Sequence, residues 1–284
     1  MKKLLVLLCL LAVFNAFSQN KPAYLIFRMD GSQATWTELA EKAAVSNVVL
    51  FGELHNNPIC HWLQFELTQS LFNAVGQKLV LGAEMFETDN QLLLNEYLDG
   101  KVAAKNFEAE AKLWPNYKTD YKPLVDFAKD NKIRFVGTNI PRRYAALVNK
   151  SGFEALSELS QDALSLMPPL PMPYDSALPG YKAMLTMGGH VSPNLPKAQA
   201  VKDATMAWFI LQNYAPGRIF LHFNGAYHSD NYEGIVWYLN HYRPGIKILT
   251  ISSIESDDLN QPGDDIKGKA DYIIVIPSTM TKTH

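Results

Sequence analysis

Six continuous apolar runs limit most strongly what this chain can fold into: "NVVLFG" (47–52), "KLVLGA" (78–83), "IRFVGTN" (133–139), "RIFLHFN" (218–224), "IKILTIS" (246–252) and "DYIIVIP" (271–277). They are short, rich in β-branched and aromatic residues, and lack the alternation of a strand with one face in water. Helically spaced segments separate them: Pro58 to about Ala74, "DNQLLLNEYLDG" stopped by Gly100, "YAALVNKSG" ending at Gly152, and residues 230–240. Residues 197–214 read as an amphipathic helix. Strands buried on both faces and joined by helices predict an α/β fold, a mostly parallel sheet with helices on both faces. Ahead of them, "AYLIFRMDGSQATWTEL" (23–39) reads as a short hairpin around Asp30-Gly31 followed by a helix.

The rhythm breaks over residues 151–196, where "LMPPLPMPYDSALPGYKAMLTMGGH" crowds prolines, methionines and tyrosines together. Proline at this density excludes a regular helix or a central strand. The stretch is expected to be a smaller helical or irregular excursion, a cap or a lid on one domain spanning 19–284.

The first residues read as a secretory signal. Lys2 and Lys3 give the positive start, Leu4 to Phe14 the apolar core, and Ala16-Phe17-Ser18 a small-x-small site, so residues 1–18 are expected to be removed. The small residues that precede a lipid-anchored cysteine are missing before Cys9, where Val6-Leu7-Leu8 stand, so no lipid anchor is expected. No later segment approaches the ~20 apolar residues of a membrane span. The product is expected to be exported, to the periplasm or beyond. Without the signal, Cys60 is the only cysteine, which rules out an intramolecular disulfide and a four-cysteine zinc site. Loss of Lys2 and Lys3 takes the formal net charge from -2 to -4. With no basic patch, nucleic acid is not an expected partner.

The chemistry gathers where the apolar runs end. Glu53 and His55 follow the first, Glu84 and Glu87 the second, Asn139 and "PRR" (141–143) the third, and "GAYH" (225–228) the fourth. In an open parallel sheet these carboxyl ends line one edge, and ligands bind in the crevice beyond it. His55 and His228 are suited to moving protons near neutrality or, with Glu84, to ligating a divalent metal. Glu53 and Glu84, if crowded, would push one pKa upward. Arg142 either pairs on the surface or grips a substrate carboxylate. Asp203, inside helix 197–214, is placed to orient a histidine. Glu87 reads as a charge at a helix N-terminus. His61 and Gln64 read as packing or solvated residues, and His222 and His241 as structural ones.

Five stretches carry a family resemblance: "GELHNN", "AEMFETDNQLLLNEYLDG", "YKTDYKPLVDFAKDNKIRFVGTNIPRR", "KAQAVKDATMAWFI" and "FNGAYHSDNYEG". With the paired Gly-x-x-His elements Gly52–His55 and Gly225–His228, the chain resembles the ChaN-like haem-binding, iron-regulated proteins of the Tiki/TraB/erythromycin-esterase superfamily. The resemblance implies an α/β sheet with a smaller helical part and haem binding in bacterial iron acquisition. It also implies haem held through tyrosine, with Tyr174 and Tyr181 as candidates, and a possible homodimer around it. Relatives in the superfamily include metal-dependent peptidases and an esterase using histidine-activated water. They imply the alternative of a hydrolase built on Glu53, His55, Glu84, Arg142 and His228.

Overall fold

The computed structural model describes residues 21–186 and 192–284. The expected signal, residues 1–18, lies outside them, as does the part of the excursion over 187–191. Strands β1 (Leu25–Arg28) and β2 (Gln33–Ala34) form the hairpin read from the sequence. Helix α1 (Trp36–Ala44) follows, capped by the Thr35 hydroxyl, which accepts the Glu38 N–H at 3.2 Å. The chain then runs through β3 (Val48–Glu53), α2 (Pro58–Val75), β4 (Leu79–Glu87), α3 (Gln91–Leu98), α4 (Ala104–Glu110), α5 (Lys122–Asp130), β5 (Arg134–Asn139) and α6 (Arg142–Ser151). After the short helices α7 (Gln161–Leu164) and α8 (Pro179–Met184) come α9 (Leu195–Asn213), β6 (Ile219–Gly225), α10 (Ile235–Tyr242), β7 (Ile248–Ser256) and β8 (Tyr272–Pro277).

One sheet contains all eight strands in the order β2-β1-β8-β7-β3-β6-β4-β5. From β8 to β5 every pairing is parallel, and the two pairings of β1, with β2 and with β8, are antiparallel. Both faces are covered, as the unbroken apolar runs require. Val49, Phe51, Leu81 and Phe223 enter one core with Leu39 of α1, Leu67 of α2, Leu94 of α3 and Leu124 of α5. Val48, Leu50, Val80 and Phe220 enter the other with Val148 of α6, Val201 of α9 and Leu239 of α10. Each such side chain, fully buried, contributes about 1.5–3 kcal/mol.

Helix α9 departs from the amphipathic helix expected there. Asp203–Ala207 are all buried, more than a full turn, because α6, α8, α10 and β5 pack around it. Its alanines at 198, 200, 204 and 207 let neighbours approach from several sides. In the excursion, Met167, Met172, Tyr181 and Met184 are buried in the second core. The helix read over 230–240 starts later, at Ile235, after a 3-10 turn at Asp230–Tyr232.

Strand order decides which loops meet. Along β3 and β6, Gly52 pairs with Asn224 and Glu53 with Gly225, so the two Gly-x-x-His elements leave the sheet side by side. On the far side of β6, Ala83 of β4 pairs with Phe223, which brings Glu84 out next to Gly225. Between the Ala83–Gly137 and Glu87–Asn139 pairs the β4–β5 register shifts, with Glu84, Met85 and Phe86 in the irregular stretch. Such bulges re-aim side chains beside sites.

Candidate functional site

Glu53 ends β3 and is buried, with three donors around its carboxylate. Tyr121 donates its hydroxyl to Oε1 at 2.6 Å, Gln64 donates its amide to Oε2, and His55 Nδ1 lies 2.9 Å from Oε1. Asn116 donates to the His55 carbonyl oxygen at 3.1 Å, and His61 Nε2 lies 3.1 Å from the same oxygen. The loop carrying His55 is therefore pinned from beneath. Trp114 meets the His55 ring edge-on, with centroids 4.9 Å apart. Burial pulls the His55 pKa down, but the bond to Glu53 and the charges of Glu84 and Glu53 outweigh it and the net shift is upward. Nε2 of His55, on the other side of the ring, makes no hydrogen bond among the described residues.

Deeper in, His228 is clamped between two carboxyl groups. Nε2 lies 3.1 Å from Glu84 Oε1 and Nδ1 lies 2.5 Å from Asp203 Oδ1. Burial opposes its charge, yet Glu84 and Asp203 together push it up to about 10. The ring is therefore an imidazolium at neutral pH, donating from both nitrogens. The same contacts hold the Glu84 carboxyl well below the usual carboxylate range despite its burial. Burial instead nudges Asp203 upward, although His228 and the Tyr181 hydroxyl, donating at 2.8 Å, favour its anion. The Gly225 N–H donates to Glu84 Oε2 at 2.8 Å and completes the chain.

Both signature glycines are explained by close approach. A Cβ at Gly225 would lie 2.7 Å from His55 Nε2, and one at Gly52 would lie 2.9 Å from the Ala226 Cα. The loops meet only because neither strand end carries a side chain there.

Beyond the cluster opens a cleft of about 550 Å³. Glu84 and His228 are its buried lining, His55, Trp114 and Lys202 line it half-buried, and Arg142 is exposed at its rim. A second opening of about 430 Å³ lies on the Gly225 side of His55, where Tyr227 and His284 reach it.

Of the residues expected here, Glu53, His55, Glu84 and His228 converge and Arg142 stands at the rim. Asp203 does orient a histidine. Glu87 bonds Lys112 at 3.2 Å at the cleft edge. His222 is structural: fully buried, bonded to Thr138 and Asn224, and driven down to about 4 by burial. The divalent-metal site expected at His55, Glu84 and His228 does not suit the chemistry of these donors. His228 spends Nε2 on Glu84 and Nδ1 on Asp203, so it has no uncommitted nitrogen to offer a metal. Among the described residues no group of three or more His, Cys, Asp or Glu side chains is arranged to hold a metal ion. The candidate tyrosines lie elsewhere. Tyr181 is 4% exposed, with its hydroxyl committed to Asp203. Tyr174 is half-buried between Phe153 and Tyr181.

His61 and Gln64 were expected only to pack or meet solvent, yet they bracket Glu53 and His55. Tyr121, Asn116 and Lys202 carried no signal at a strand end. Gln199, whose amide lies over the His228 ring, sits four residues before Asp203 on the same helix face, a spacing that ties the two together.

The family model described as "Haem-binding uptake, Tiki superfamily, ChaN" matches residues 39–239. The chain belongs to the ChaN family. The solved structure of ChaN from Campylobacter jejuni, described as showing cofacial haem binding, superposes with a TM-score of 0.68. It is 15% identical, and the match covers 90% of this chain and 97% of that one. A succinoglycan biosynthesis protein of solved structure superposes at 0.52 with 12% identity, over 88% of this chain and 92% of its own. Both likenesses are of fold. A 193-residue stretch is 24% identical to RETICULATA-RELATED 5, a chloroplast protein of Arabidopsis thaliana, over 62% of this ChaN-family chain. The match spans only 26% of the plant protein. Among the described residues no helix is long and apolar enough to cross a membrane.

Proposed function

We propose that this chain binds haem in the cleft at the carboxyl edge of its sheet and serves haem or iron uptake outside the cytoplasm. The observation that carries the reading is the Glu53–His55 pair. A carboxylate on Nδ1 fixes the tautomer and leaves Nε2 as a lone-pair donor, the arrangement found behind most metal-bound histidines. His55 thus takes the place the family resemblance suggested for Tyr174 or Tyr181. Burial raises the pKa of both phenols, Tyr181 far above its ordinary value, and a ferric phenolate needs that proton gone. The flat Trp114 ring and the cations lining the cleft suit a planar acid-bearing ring. Family membership over residues 39–239 supports the ligand class, and the amino-terminal signal pattern supports export. When bound, haem would supply an iron centre whose ligand field and polarity the site sets.

Hemin titration into the purified protein, followed by visible absorption, tests this. A saturable shift of the haem band is expected in the wild type, Tyr174→Phe and Tyr181→Phe, and its loss or displacement in His55→Ala. A spectrum altered only by a tyrosine variant would return the role to that residue.

A second reading draws on the same free Nε2. Positioned by Glu53 and lining the same cleft as the buried imidazolium of His228, it is also suited to a general base that activates water beside a charge stabiliser. Hydrolysis of p-nitrophenyl acetate above background, abolished by His55→Ala and insensitive to chelators, would favour a hydrolase.

A further inference from the structure

We propose that the β5–α6 corner of the cleft is a clamp for ligand acid groups, in which Arg142, Lys202 and the Asn139 amide take a carboxylate. On the haem reading above, on which this rests, that carboxylate is a propionate.

Three independent observations meet at this corner. The first is a pair of cations left over. Acids are at hand, but their neighbours use them: Arg143 pairs with Asp89 at 2.5 Å and Lys112 with Glu87 at 3.2 Å. Among the described residues neither Arg142 nor Lys202 has a carboxylate oxygen within 4.0 Å. Both nevertheless line the cleft, Arg142 exposed and Lys202 half-buried.

The second is Asn139, on the cleft wall at the end of β5. It is only 9% exposed, and its side-chain oxygen is buried without a hydrogen bond. Its side-chain NH2 likewise makes no hydrogen bond among the described residues, and this is the group that can donate to a carboxylate, whose oxygens only accept. The amide therefore meets the carboxylate through its NH2, and the buried oxygen takes no part in the clamp.

The third is the start of α6. This ten-residue helix begins at Arg142, and Pro141 at its cap offers no side chain to its first N–H groups. Its positive end therefore adds to the two side chains at this corner. The acids that also line the cleft are already matched, Glu84 by His228 and Gly225, Glu87 by Lys112. The anion-seeking charge at the corner is what remains.

Esterification separates the clamp from the iron site. Hemin and hemin dimethyl ester carry the same iron and ring, but only hemin carries carboxylates. The wild type is expected to bind hemin about tenfold or more tightly than the diester, the factor ~1.4 kcal/mol gives. In Arg142→Ala/Lys202→Ala, hemin should fall to the diester's affinity while diester binding stays the same. Equal wild-type affinity for the two, or equal weakening of both in the variant, would overturn the clamp.

A haem-free arm uses millimolar glutarate, which should raise the melting temperature of the wild type and not of the double variant. If neither tetrapyrrole binds and glutarate stabilises only the wild type, the clamp stands and the haem reading falls. If both proteins respond alike to glutarate, the clamp falls whatever haem does.

Discussion

Urea unfolding followed from about pH 6 to about pH 10 should show a stability that declines as the solution turns alkaline, with His228 setting the slope. Its pKa is 6.5 in an unfolded chain and about 10 in the fold. A group raised in this way stabilises the fold fully below its unfolded value and loses that contribution as pH climbs through its folded one. At 1.36 kcal/mol per unit, the difference is worth about 5 kcal/mol, shed at roughly 1.4 kcal/mol per pH unit. Glu84 is the other half of the same clamp, so its lowered pKa is not a second, additive gain; it places the acid-side loss below the ordinary carboxylate range. Glu84→Gln removes one flanking charge yet keeps an oxygen for the His228 N–H; its alkaline descent should start at the same unfolded-state value, level off at lower pH and be smaller in total. Removing one partner of a buried pair costs ~3–5 kcal/mol, so the variant is read at the low-urea end. Wild-type stability flat across the window, or a Glu84→Gln curve that superimposes on the wild type's, would refute the clamped imidazolium.

Gly225→Ala has an ordinary backbone angle and fails only for space, since its Cβ would lie 2.7 Å from His55 Nε2; hemin affinity should drop about tenfold or more while circular dichroism stays native. Tyr181→Phe loses the bond to Asp203 and should cost about 1–3 kcal/mol in urea unfolding, with the hemin spectrum unchanged. Gly234→Ala combines a positive φ of 51° with a Cβ 2.3 Å from the His228 carbonyl oxygen. About 3 kcal/mol or more of lost stability is expected, read as a lower melting temperature.

How much of this was legible beforehand follows from which forces act locally. The apolar runs are legible because burial on both faces leaves no room for alternation. The cluster is legible in outline because polar residues at parallel strand ends must share an edge, so Glu53, His55, Glu84 and His228 were all found. Strand order was not legible. That β3 lies between β7 and β6 depends on packing across the whole sheet, and no single stretch encodes it. The support beneath His55 was missed for the same reason. Tyr121 and Asn116 sit near a π-helical turn at Tyr117–Tyr121, far from any strand end, and reach Glu53 and His55 only through the tertiary fold. The metal expectation failed on pairing. The sequence supplied two histidines and a glutamate, but not that one histidine would spend both nitrogens on carboxylates.

The cluster also gives the cleft a sense of direction. Around its inner end the carboxyl groups outnumber the imidazolium, Glu84 lining the cleft with Asp203 and Glu53 buried behind it, and the unmatched Arg142 stands exposed at its rim. A guest with a positive centre and acidic tails therefore lowers its energy in one pose, centre inward and tails outward, and is turned that way round by the field before any atom touches.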